Sequence, residues 1–162
     1  MTAEKARILA VLETQRQGLR QALDGLDHAD AVTRPTVSAL SLGGIVAHVT
    51  YAEQMWIDFV VTGEKVDDMD RYAASFVVGP GETVAGLLER YAATARRTEE
   101  VVAALPDLEV THPLPDAPWY PEREFSARQV LLHLVAETSR HAGHADILRE
   151  TLEVGRSADA VR

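Results

Sequence analysis

The chain has 162 residues, enough for one domain with a real core, expected to span residues 1–162. Its formal charge of −9, with no Lys/Arg cluster, argues against binding a phosphate backbone, so no nucleic-acid partner is expected. There is no cysteine, which removes disulfides, thiolate-ligated metal and a Cys nucleophile.

No apolar run reaches the roughly 18 residues of a membrane span. The start, MTAEKARILAVLETQRQ, mixes acids and bases and does not read as a signal peptide. The expectation is therefore a cytoplasmic protein without a membrane partner.

Helical periodicity dominates and strand alternation is nearly absent. A first helix is predicted from about Thr2 to Leu26, with Ile8, Leu12, Leu19, Leu23 and Leu26 on one side. A second, about Ser41 to Val61, follows a loop containing Arg34-Pro35-Thr36 and stops at Thr62-Gly63. A third, about Glu82 to Leu105, lies between Gly79-Pro80-Gly81 and Pro106. In the fourth, Ser126 caps, Gln129 completes a capping box and Phe125 staples onto Val130. That helix is expected to end near Val154, with Gly155 as its stop. The loops EKVDDMDRYAASFVVG and DLEVTHPLPDAPWYPERE are long. The pattern implies an all-α four-helix bundle with long crossover loops.

On the fourth helix, at roughly 100° per residue, Val130, Leu134, Glu137, His141, His144 and Leu148 fall within about 40° of one line. Half of this packing seam is polar. On the second helix the stripe Ile45, His48, Ala52, Met55, Phe59 carries one histidine in place of an apolar knob. A buried carboxylate needs a partner or a metal. Glu137 and His141 are four apart and share a face, so both can reach one ion. With His48 they make two imidazoles and a carboxylate, a common zinc pattern with an open position, also suited to nickel or ferrous iron. A buried Glu–His hydrogen-bond network without metal fits the same spacing.

LSLGGIVAHVTYAEQMWIDFV resembles the second helix of DinB-like proteins. SARQVLLHLVAETSRHAGHADILRE resembles the last helix of their actinobacterial subfamily of unknown function, and RPTVSALSLGG matches that subfamily too. The resemblance implies a four-helix bundle whose metal is held by one His of the second helix and two ligands of the last. Many members use a His-x-x-x-His pair there; Glu137 in the first place is similar to relatives of mycothiol-dependent maleylpyruvate isomerase. Carried over by position, the ligands are His48, Glu137 and His141.

Of the other candidates, His144 is read as facing substrate or supporting the ligands, or as replacing Glu137 among them. His133 is expected to pack or to orient a ligand, Trp56 to sit in the core, and His112 and His28 to be solvated. Arg140 and Arg149 could hold an anionic substrate, although Arg149 also suits a helix C-terminal end. Trp119 and Tyr120 are candidates for a pocket rim.

The resemblance implies a metal-dependent S-transferase or thiol-dependent isomerase, acting on a low-molecular-weight thiol such as mycothiol and an electrophile, as monomer or homodimer. A metal-hydroxide hydrolase with His144 as base, and a non-catalytic metal-binding or stress-response bundle, are the alternatives.

Overall fold

The computed structural model describes residues 1–65, 68–120 and 122–159. Its elements are α1 (Ala3–Ala22), α2 (His28–Val32), α3 (Leu42–Thr62), α4 (Met69–Ala74), α5 (Val84–Ala104), β1 (Thr111–Pro113), β2 (Glu124–Ser126) and α6 (Ala127–Asp159). The two strands form a small antiparallel ribbon with His112 opposite Phe125.

Each long helix starts where a side chain satisfies its first-turn donors. Thr2, Ser41 and Thr83 accept from the backbone N–H three residues on. At α6 the box is reciprocal: Gln129 N–H donates to Ser126 Oγ at 3.2 Å, and Ser126 N–H to Gln129 Oε1 at 2.8 Å. Phe125 packs against the cluster that contains Val130. Helix α3 ends on Gly63 at φ 74°, where an added Cβ would lie 2.8 Å from His112 Nδ1.

Helix α1 packs chiefly on α6 and α5, and α3 on α5 and α6. The pairs α1/α3 and α5/α6 therefore occupy the two diagonals, and the connections within each pair cross an end of the bundle. This is the all-α bundle with crossover loops that the sequence implies.

The core comes in two apolar clusters. One contains Leu9, Leu12, Trp56, Phe59, Val102, Val130 and Leu134; the other contains Leu19, Leu23, Ile45, Val49, Tyr91, Ala145 and Leu148. Between them each long helix contributes buried polar side chains: Arg16 from α1, Glu53 from α3, Thr94 and Thr98 from α5, Thr138 and His141 from α6. This polar waist carries the site.

Some elements differ from expectation. Helix α1 stops at Ala22 rather than Leu26, because the chain turns through Gly25 at φ 69°. Helix α6 runs past Gly155 to Asp159, since that glycine does not take a left-handed turn. The short α2, α4 and ribbon were not anticipated, being too brief to show a period. His112 is half-buried rather than solvated: it donates from Nε2 to the Val60 carbonyl at 3.1 Å and packs on Phe59. His28 is exposed, and donates from Nδ1 to the Glu82 carbonyl at 2.8 Å.

Candidate metal centre

The start of α3 explains how His48 is held. A Cβ at Gly44 would come within 2.3 Å of the Phe76 carbonyl oxygen, so only glycine lets the segment after α4 lie on this turn. As a result Phe76 stacks on the His48 ring at 3.7 Å with planes 10° apart, and Tyr72 meets it edge-on at 5.1 Å. The Ser75 hydroxyl sits 2.8 Å from His48 Nδ1.

Glu137 and His141, one turn apart on α6, face His48 across the helix interface. Glu137 Oε1 lies 3.4 Å from His48 Nε2 and 3.3 Å from His141 Nε2, and the two rings are 5.0 Å apart. The three residues offer one ligand atom each, all within 4.8 Å of one another, close enough to hold one metal ion.

The hydrogen bonds decide which nitrogen of His48 carries the proton. Ser75 donates its hydroxyl hydrogen to the Tyr72 carbonyl at 2.6 Å, so it accepts from His48 Nδ1–H. The lone pair of neutral His48 is then on Nε2, aimed at a carboxylate oxygen. Two acceptors facing each other in a buried site repel unless a cation lies between them. A proton on Nε2 would serve, but burial pushes the His48 pKa down, outweighing the pull of Glu137. The hydrogen bond from His141, with the charge of Arg140, in turn holds the Glu137 carboxyl well below the usual range, so it keeps its charge. His141 Nδ1 is buried without a partner. The donor set fits a divalent cation better than it fits itself.

Glu137 also lines a cavity of about 580 Å³, with Trp56, Trp119, Tyr120, Phe125, His133 and Arg140 among its walls. His48 and His141 do not line it, so Glu137 joins the cavity to the ligand set. Arg140 donates to Glu137 Oε2 at 2.8 Å and orients the carboxylate. Trp119, 59% exposed, and half-buried Tyr120 stand on the cavity wall. His133 packs on Trp56 at 4.9 Å, and burial lowers its pKa.

His144 lies apart from the cavity, its ring 5.3 Å from His141 and its Nδ1 buried without a partner. The structure puts Arg149 elsewhere too. Its guanidinium donates to the carbonyls of Ala22 at 3.1 Å and Asp24 at 2.8 Å, closing the end of α1, and it pairs with Glu153. That fixes Arg149 as a helix-end cation, away from any anionic substrate in this cavity.

Sequence reading missed Ser75, Phe76 and Tyr72, the supports of His48. The usable signal was the Gly43-Gly44 pair opening a long helix, which marks a close backbone approach.

The fold is shared with proteins of low identity. YfiT from Bacillus subtilis, described as a probable metal-dependent hydrolase with an unusual four-helix bundle topology, superposes with a TM-score of 0.71 at 17% identity, covering 94% of this chain and 90% of its own. A conserved protein from Enterococcus faecalis gives 0.66 at 16% identity, covering 94% and 98%. No curated protein sequence matches significantly. Among the described residues no helix is long and apolar enough to cross a membrane. The mycothiol S-transferase family model matches residues 7–154, and the chain belongs to that family.

Proposed function

We propose that the protein is a divalent-metal-dependent S-transferase that joins a low-molecular-weight thiol, such as mycothiol, to an electrophile, with His48, Glu137 and His141 as metal ligands. The observation that carries the reading is the part-buried approach of the His48 Nε2 lone pair to Glu137 Oε1 at 3.4 Å, an arrangement that calls for a cation. Membership of the mycothiol S-transferase family supports the choice of thiol. Having no cysteine, the chain needs its reactive sulfur from outside.

Two imidazoles and one carboxylate leave a coordination position open; zinc is the first choice, with nickel or ferrous iron compatible. Such an ion, when bound, would lower the pKa of a thiol from its free value of about 8.5. The remaining work falls to side chains. Ser75 fixes the His48 tautomer, Phe76 shields its ring from water, and Arg140 orients the Glu137 carboxylate. In the reaction the thiol sulfur bonds to an electrophilic carbon. The thiol proton passes to a base, then to the displaced group or to the carbon beside the new bond. His144, next to His141, and His133, kept neutral in the cavity, are the proposed holders of that proton.

The test is cobalt substitution. The cobalt spectrum should change on adding a small thiol, and conjugation of an electrophile should need both metal and thiol and fail in His48→Ala. A cobalt spectrum unmoved by thiol would sink the S-transfer reading. Hydrolysis is the second reading, favoured by the neutral His133 beside Glu137. Metal-dependent ester cleavage without thiol, compared between His133→Ala and His144→Ala, would then identify the base.

A further inference from the structure

Both tryptophans of the chain, Trp56 and Trp119, line the cavity that reaches Glu137. Phe125 stacks on Trp56 at 5.7 Å with planes 20° apart, and Tyr120 meets it edge-on at 6.4 Å. The thioethers of Met55 and Met69 add polarizable wall that adapts to a ligand's outline. At about 580 Å³ the space falls within the roughly 300–1,000 Å³ of small-molecule sites. Among the described residues its charges are matched. Arg140 is engaged by Glu137, and Lys65 lies 4.8 Å over the Trp56 ring in a wall that also holds Asp68. Flat faces, soft edges and, among the described residues, no surplus charge select a flat, uncharged ligand.

We propose that this cavity holds the electrophile, and that the electrophile is an uncharged planar aromatic compound whose reactive carbon lies at the Glu137 end. The reaction part rests on the S-transfer reading; the binding part does not. Arg140 and Glu137 mark the polar end, where the carbon must meet the thiol, and Trp56 with Phe125 holds the rings.

The tryptophans report directly on the cavity, so binding is measurable in metal-free protein with no thiol present. The probe is N-phenyl-1-naphthylamine, a neutral fused aromatic. Saturable binding of one probe per chain is expected, with tryptophan emission quenched and probe emission sensitised. Tyr120→Ala, in a loop, should weaken it at least tenfold. Ala52→Leu, which fills the wall from α3, should do the same while the helical spectrum is retained. The sulfonated relative 8-anilino-1-naphthalenesulfonate should bind at least fivefold more weakly. No saturable binding, tighter binding of the sulfonate, or unchanged binding in both folded variants would each overturn the proposal. If the probe binds as expected but metal and thiol yield no aromatic conjugate, S-transfer falls and the aromatic site stands. If conjugation occurs with small polar electrophiles and the probe does not compete, the aromatic site falls and S-transfer stands.

Discussion

The polar waist holds two carboxylates that α3 and α6 bury in different ways. Glu53 is closed: the guanidinium of Arg16, fully buried, donates to both its oxygens, and the Thr98 hydroxyl donates as well. Glu137 is open: its partners are two imidazoles whose Nε2 atoms stand 3.3 and 3.4 Å away, one Arg140 at the surface, and a cavity. Glu53 is buried, while Glu137 is partly exposed where it lines the cavity. What separates them is satisfaction. A carboxylate whose acceptors are filled by a permanent cation has no further chemistry to offer. One faced by the His48 lone pair, beside an unpartnered His141 Nδ1, is set for an ion.

The largest effect should come from breaking the closed cluster. Arg16→Met or Glu53→Leu alone strands a buried charge and should cost about 3–5 kcal/mol, read as a drop in denaturation midpoint with metal affinity changed little in whatever stays folded. Removing the open cluster's charge should cost less. Glu137→Leu should abolish metal uptake yet destabilise the metal-free protein less than either closed-cluster variant, because it strands no buried guanidinium. A chelator should accordingly destabilise metal-loaded wild type by about 2.7 kcal/mol if metal is present at 100 times its Kd, and leave Glu137→Leu unmoved.

A smaller effect is expected at Ser75. Ser75→Ala frees the His48 tautomer and should weaken metal binding by about 10–100-fold without loss of helix, while Ser75→Thr restores it.

The smallest effect concerns pH in the metal-free protein. His48 is held below its ordinary 6.5 by burial, so the unfolded chain takes the proton first and stability falls as pH drops below about 6.5. Glu137 is held below its ordinary 4.5, chiefly by the hydrogen bond from His141; its contribution is present above about pH 4.5 and is lost on further acidification. In His48→Gln the upper part of this slope should flatten. An unchanged slope would contradict the placement of neutral His48 against the carboxylate.

How much was legible follows the same division. The long helices announced themselves through caps and stripes, and the polar seam of α6 came from spacing alone. The Arg16–Glu53 pair did not, although Arg16 falls at the gap between Leu12 and Leu19 in the α1 stripe, where a core residue was due. Reading it required knowing that the diagonal brings α1 and α3 together across the core. Ser75 was hidden for another reason: it caps the end of a six-residue helix in a long loop, whose position depends on the bare backbone of Gly44. The aromatic cavity likewise joins α3, α6 and two loops, and no local pattern could assemble it.

The most direct test of the account is metal stoichiometry. Protein equilibrated with zinc and freed of excess should carry one ion per chain by elemental analysis, and His48→Ala, Glu137→Leu and His141→Ala should each carry none while remaining helical. Zinc-free wild type, or a full ion retained in all three variants, would contradict the claim that these residues form a metal centre.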